Sequence, residues 1–363
     1  MLSPILIGLW CFFNLALAIL QWPRFLKLQK LLSPEREVGQ QPALSVLVAF
    51  RDEEKHLEAL IKALQSQEYP DFEIIMINDG SSDRSAELVR QKQKEFTGLR
   101  LIDLPPSGKK KALSVGISRA SHECLVFTDA DCLPATNQWL TEIGKAFASA
   151  DLILGYAPLK SQGNSAGQMA RFETLQTAFQ YLYAANRQKP YMAVGRNLAY
   201  RRTLYKKVNG YEKHQHLPYG DDDLLIQSAR ALPDLKVKAL LSQASFVYSA
   251  APQSWAAWWR QKRRHYGTAY RYRIVDQVRL GFEGALQILY LPIFTLVLFF
   301  NWPLALGLLA LRYTLQLWLS YRLSRHMQSS RIYRWFIIYE GLLVALGIGI
   351  HLQNLIFGKR KRW

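Results

Sequence analysis

The chain is predicted to fold as an α/β domain on a mostly parallel sheet, carried between membrane-spanning helices. Three observations predict this. From about Pro42 to Val275, short apolar runs alternate with segments whose apolar residues recur at helical spacing, the pattern of repeated strand–helix units. Polar clusters follow the apolar runs, at the strand ends where open α/β sheets bind ligands. Finally, the hydrophobic residues that form 50% of this 363-residue chain crowd towards its two ends.

Leu44 to Phe50 is almost wholly apolar, as expected of a strand buried on both faces of a parallel sheet. Glu53 to Gln65 follows as a helix, with Leu57, Leu60, Ile61 and Leu64 on one face. Phe72 to Ile77 is the second strand, Ser85 to Phe96 a helix, and Leu99 to Leu104 the third strand. Lys110 to Ala120 is a helix and Cys124 to Thr128 the fourth strand. The only linker-like stretch is Ser33 to Gln41, and there is no internal repeat.

Residues 1–23 carry no charge, and Leu2 to Leu20 is long enough to cross a bilayer, which takes roughly 20 residues. Ala16-Leu17-Ala18 resembles a signal cleavage site, but no basic residue precedes the apolar run, so a retained transmembrane helix is expected. Two further apolar stretches, Ala285 to Leu319 and Phe336 to Phe357, close the chain. Asn301-Trp302-Pro303 breaks the first of them into a helical hairpin, for about three C-terminal spans. Arg24, Lys27 and Lys30 put the middle of the chain in the cytosol by the positive-inside rule, and Arg322, Arg325, Arg331 and Arg334 agree. Four spans would send Lys359-Arg360-Lys361-Arg362 to the far side, against that rule, unless one C-terminal segment lies in the interface. Arg312 and Glu340 fall inside predicted spans, where charge is expensive and marks function.

The organisation expected is therefore a transmembrane helix over 1–23, a cytosolic α/β domain over 42–250, an interfacial amphipathic region over 251–280 and membrane helices over 281–358. The net charge of +18 is explained by this topology and by attraction to anionic lipid headgroups. Nothing resembles a nucleic-acid-binding module, so no nucleic-acid partner is expected. Cys11, Cys124 and Cys132 have no metal-ligand spacing, and no disulfide is expected in a reducing cytosol.

The chemistry concentrates in a few clusters. Asp129 and Asp131 end the fourth strand one residue apart, where strand alternation would turn both to one side. Hard carboxylate oxygens suit Mg²⁺ or Mn²⁺, which keep positions open for a substrate diphosphate. Arg51-Asp52-Glu53 follows the first strand, Asn78 to Asp83 the second, and Gly108-Lys109-Lys110-Lys111 opens the helix after the third, a place suited to phosphate. Each cluster alone also reads as ordinary loop chemistry, a turn with an N-cap or a solvated lysine face. Four of them in order at one sheet edge do not.

On these motifs the stretch from Leu44 to Tyr270 resembles glycosyltransferase family 2, membrane-associated enzymes with the Rossmann-like nucleotide-sugar-binding fold called GT-A. Val48-Ala49-Phe50-Arg51-Asp52-Glu53 looks like the family's first nucleotide-binding strand, and Asn78 to Asp83 like its uridine-binding segment. The resemblance implies donor contacts from Phe50, Arg51, Glu53, Asp79, Lys109 and Asp129, with Asp129-Ala130-Asp131 as metal motif. Val194 to Arg201 resembles the segment lining the donor and acceptor pocket, implying roles for Gly195, Arg196 and Asn197. Gly220-Asp221-Asp222-Asp223-Leu224 resembles the Glu-Asp-x-Asp-Leu pattern. Asp221 is then the counterpart of the catalytic base, and Asp222 stays a candidate because Gly220 stands at the Glu position. Gln261 and Arg264 resemble part of the Gln-x-x-Arg-Trp motif, sharing a helical face that can grip a diphosphate, with His265 at the Trp position.

The reading that follows is a metal-dependent inverting transferase in a bacterial inner membrane, moving a sugar from a nucleotide-sugar, UDP-linked by the family pattern, to a lipid or lipid-linked hydroxyl. Processive polysaccharide synthesis is the alternative, weakened by His265, and a non-catalytic scaffold is a third.

Overall fold

The computed structural model describes residues 2–31, 41–161, 163–217, 219–329 and 332–356. Residues 33–40 of the linker-like stretch, Arg331 and the basic tail at 359–362 lie outside the described residues. The chain divides into two compact units: residues 31–162 with 180–251, and residues 1–30 with 163–179 and 252–363.

Helix α1 spans Leu2–Leu31. The α/β unit then begins with β1 (Leu44–Phe50), α2 (Glu54–Gln65), β2 (Phe72–Asp79), α3 (Ser85–Glu95), β3 (Leu99–Leu104), α4 (Lys109–Arg119) and β4 (Cys124–Phe127). It continues through β5 (Cys132–Pro134), α5 (Trp139–Ala146), β6 (Leu152–Gly155) and β7 (Leu159–Lys160), and α6 (Ser165–Asn186) runs through both units. After it come β8 (Leu198–Arg201), α7 (Arg202–Lys207), α8 (Asp223–Ala229), β9 (Val237–Leu240) and β10 (Val247–Ala250). The chain closes with α9 (Trp255–Ala269), α10 (Ile274–Phe300), α11 (Trp302–His326) and α12 (Phe336–Ile356).

Seven strands form one sheet in the order β3-β2-β1-β4-β8-β6-β9, parallel except at β8, which runs antiparallel to both neighbours. The strand order reverses between β1 and β4, the crevice where such sheets take their ligands. Because β8 is antiparallel to β4, with Leu198 opposite Phe127, its leading segment Gly195–Asn197 lies at the edge from which Asp129 emerges. Leu57, Leu60, Ile61 and Leu64 of α2 are buried as their spacing predicts, against Leu44, Val46, Val48, Ile74 and Met76. Strand β2 runs two residues beyond its expected end because Asn78 and Asp79 pair with Asp103 and Leu104 of β3. The small sheet β5-β10-β7 had no expected counterpart, its strands being too short to show a period.

The second unit contains α1 and α9 to α12. Pro4–Leu28, Ile274–Phe300 and Ile332–Gln353 are long and apolar enough to cross a membrane. The hairpin is present, its turn at Asn301 capping α11 through a bond from Leu304 N of 3.2 Å. Helix α11 is not among the three; its buried face carries Arg312, Gln316, Ser320 and Ser324. Trp10, Phe13 and Leu17 pack with Leu286, Tyr290, Val297 and Ala305. Polar side chains lace this core: Asn14 with Tyr290 (3.0 Å), Gln21 with Gln316 (3.0 Å), Arg24 with Glu283, and Arg312 with Glu340 (2.8 Å). Arg312 also lies 3.7 Å from the centre of the Tyr290 ring. The two charges flagged at predicted mid-bilayer positions thus neutralise each other.

Candidate active site

The site is assembled from the sheet edge outward. Asp79, at the end of β2, is 6% exposed and is spent on the next loop: it accepts bonds from Ser107 N (2.7 Å), Ser107 Oγ (2.9 Å) and Gly108 N (3.0 Å). The residue expected to meet a base or ribose therefore anchors the turn that starts α4. Gly80, at φ +70°, is required there, because a Cβ would come within 2.4 Å of Pro106. Gly108, at φ +90°, precedes α4, and Lys109 is the first residue of that helix.

The three lysines do not form one solvated face. Lys109 Nζ lies 2.8 Å from Asp129 Oδ1 and 2.9 Å from Asp221 Oδ2. Lys110 is buried and donates to the carbonyl of His214 at 2.7 Å, while Lys111 is exposed. Lys109 thus joins two acidic motifs that are remote in the chain. Burial opposes its charge, but Asp129 and Asp221 outweigh burial and hold the ammonium well above its ordinary pKa.

Asp129 and Asp131 converge, although not by strand alternation. Strand β4 ends at Phe127, and a turn closed by Cys132 N to Asp129 O (3.1 Å) brings the ligand atoms of Asp129, Asp131 and Cys132 within 4.8 Å of one another.

Asp222 caps α8, accepting from Asp223 N at 2.7 Å, while its other oxygen accepts from Gly195 N at 2.9 Å. Burial and the adjacent Asp221 charge push the Asp222 carboxyl up to about 6. Burial acts the same way on Asp221, but the Lys109 ammonium overrides it and holds that carboxyl below its usual range. Two neighbouring carboxylates are therefore driven apart in acidity, the pattern of a divided acid–base pair. Gly195 closes the group: a Cβ there would lie 3.5 Å from Asp222 Oδ2 and 3.6 Å from both Asp221 Oδ2 and Lys109 Nζ.

Other expected site residues fall elsewhere. Asn197 is 2% exposed, and its side chain is taken up by Tyr156 O (2.8 Å), Ser245 O (2.8 Å) and Trp139 Nε1 (3.1 Å). Arg196 donates to Ser249 Oγ on β10. Phe50 is buried at the end of β1, Arg51 is exposed, and Glu53 pairs with His56 at 2.7 Å. Asp52 adopts φ +55° and accepts from Ser82 N (2.7 Å), lacing the first two loops together. Gln261, Arg264 and His265 lie on α9 in the other unit. There Trp258 donates to Glu173 (3.1 Å), Lys262 pairs with Glu173, and Trp259 donates to Gln353 (2.8 Å), while Arg264 and His265 are exposed. A second layer was not foreseen. Tyr200 and Tyr211, with hydroxyls 3.4 Å apart, are held protonated mainly by burial and further by the nearby Asp221 charge. Buried His214, kept neutral by burial with a pKa of about 4, stands beside Tyr211. Nothing in their sequence spacing announces them.

Residues 45–208 match the profile described as Glycosyl transferase family 2. The similarity of this segment is to glycosyltransferase family 2. A probable glycosyltransferase, YdaM, of Bacillus subtilis is 26% identical over 243 residues, covering 61% of this chain and 54% of that protein. A poly-beta-1,6-N-acetyl-D-glucosamine synthase of Staphylococcus epidermidis is 38% identical over 103 residues, 28% of this chain and 25% of that one. The chain thus spans about half the length of the first of these relatives and a quarter of the second. Among solved structures, a mannosyltransferase of Pyrobaculum calidifontis in complex with GDP-Man and Mn²⁺ superposes with a TM-score of 0.59 at 18% identity. That superposition covers 99% of this chain and 100% of the other. The likeness is one of fold, the mostly parallel GT-A-like sheet expected from the sequence.

The residues present fit a hard divalent cation. Asp129 and Asp131 offer carboxylate oxygens close enough to share one ion and leave its other positions open. Cys132 is a poor third ligand, because burial and the two aspartates push its thiol well above its ordinary pKa and a soft sulfur suits Mg²⁺ or Mn²⁺ badly.

Proposed function

We propose that this chain is a family 2 glycosyltransferase that moves a sugar from a nucleoside-diphosphate sugar to the hydroxyl of a lipid or lipid-linked acceptor, with inversion at the anomeric carbon. The single observation that carries the reading is the meeting of Lys109 with Asp129 and Asp221, which joins a diphosphate-type cation site to an acid–base pair. Asp129 and Asp131 would hold Mg²⁺ or Mn²⁺, whose charge would offset that of the departing diphosphate. Lys109 supplies a fixed positive group on the same side. Asp222, the carboxylate of higher pKa, takes the proton of the acceptor hydroxyl as it attacks from the opposite face, and Asp221 keeps that pKa raised. Asp222 is preferred to Asp221 because the ion pair with Lys109 makes Asp221 the weaker base.

The lipid acceptor follows from the apolar helices at both ends of the chain, and the basic residues Arg24 and Lys27 argue for a catalytic unit on the cytosolic side. The local identity to a poly-N-acetylglucosamine synthase favours one other reading, processive polymer synthesis. Incubating the purified full chain in detergent with UDP- and GDP-sugars, membrane lipid extract and Mn²⁺ tests both. A donor-dependent glycolipid of one added sugar, abolished by EDTA, is expected. A long polysaccharide would replace the first reading with the second, and no release of nucleoside diphosphate with any donor would end both.

A further inference from the structure

Lys109 occupies the place where a cation would be wanted. Its ammonium sits 2.8 Å from Asp129, the carboxylate shared with the proposed metal site, and 2.9 Å from Asp221. Asp131, whose oxygen lies within 4.8 Å of that of Asp129, is exposed to solvent. The Lys109 side chain is 40% exposed and stands on the first residue of α4, so its long stem can swing without disturbing the core.

Resting on the proposed metal site, we infer that Lys109 is a built-in counter-ion that competes with the divalent cation for Asp129 until a nucleoside diphosphate gives the ammonium a new partner. With no nucleotide, a metal ion entering between Asp129 and Asp131 must break a charge-assisted hydrogen bond and sit near the Lys109 ammonium, which Asp221 still holds in the pocket. With nucleotide, the diphosphate offers oxygens to both cations, and Lys109 exchanges a carboxylate for a phosphate at little cost. Metal and nucleotide are then taken up as a pair. By linkage each raises the affinity for the other by the same factor. The device also offsets part of the negative charge of the acidic pocket between turnovers, holding Asp129 and Asp221 without a bound ion.

The test reads metal binding and not turnover. Free Mn²⁺ is followed by its electron paramagnetic resonance signal in titrations of the purified full chain in lipid nanodiscs, alone and with UDP or GDP. For the unmodified protein, nucleotide should tighten Mn²⁺ binding by at least about tenfold, roughly 1.4 kcal/mol. Lys109→Met, neutral and of similar length, should tighten nucleotide-free Mn²⁺ binding by about tenfold and shrink the nucleotide effect. Lys109→Gln provides the same charge removal while keeping a hydrogen-bond donor, and Asp129→Asn should abolish binding throughout. Unchanged or weaker nucleotide-free Mn²⁺ binding in both lysine variants, with metal still bound in the presence of nucleotide, overturns the counter-ion role alone. Absence of Mn²⁺ binding with either nucleotide in every protein overturns the metal site as well.

Discussion

Removing the charge of Asp221 should shift the pH dependence of transfer rather than abolish transfer. Asp222 is raised from 3.8 to about 6 by burial first and by Asp221 second. That rise corresponds to roughly 3 kcal/mol of disfavoured ionisation. A base must be ionised to act, so kcat/KM of the unmodified enzyme should fall as pH drops through about 6, approaching tenfold per pH unit below it. In Asp221→Asn the neighbouring charge is gone while burial and the bonds from Gly195 N and Asp223 N remain. The acidic limb should move down but stay above 3.8, with the plateau lowered and still measurable. Asp222→Asn should lose about 10² to 10⁴ in kcat, the usual share of a general base, with donor affinity largely kept. Rates on a synthetic lipid acceptor at saturating Mn²⁺ from pH 4.5 to 8.5 provide the comparison. Activity surviving in Asp222→Asn and vanishing in Asp221→Asn would refute the reasoning and return the base to Asp221.

Two further outcomes test the scaffold. Asn197→Ala should unfold the α/β unit at lower temperature, because it strands Ser245 O and Trp139 Nε1 in the core and leaves Tyr156 O only its 3.4 Å bond from Val247 N. At about 1–3 kcal/mol for each stranded group the cost is several kcal/mol, which thermal unfolding followed by tryptophan fluorescence will register as a large drop in Tm; an unchanged Tm would deny Asn197 its structural role. Arg312→Met should destabilise the unit of α1 and α9 to α12 by roughly 3–5 kcal/mol by leaving Glu340 without its cationic partner, whereas Arg312→Met with Glu340→Met should recover most of that loss in the same assay. A double variant as unstable as the single one would mean that the pair does more than neutralise itself.

What could be read directly was what local periodicity encodes. The strands and helices from β1 to β4 match their expected limits to within two residues, and the four apolar positions of α2 are those buried, because hydrophobic spacing alone sets which face turns inward. The hairpin at Asn301 was legible for the same kind of reason, a capping residue followed by proline. The two-to-four-residue strands β5, β7 and β10 were not, since nothing but their tertiary pairing stabilises them.

The candidate site divides along the same line. The residue types that gather there, acidic pairs after β4 and before α8 and lysines at the start of α4, were evident from the sequence, because their chemistry and their place at strand and helix ends are local properties. Which of them meet was decided only by the fold. Three consecutive lysines go to the carboxylates, to a buried carbonyl and to solvent, and Asp79 and Asn197 are absorbed into the frame as hydrogen-bond anchors. Asp221 and Asp222, adjacent and chemically identical, acquire different acidities because one faces Lys109 and the other the Gly195 amide. Electrostatic character falls off with distance in space and not along the chain, so only the folded arrangement could assign it.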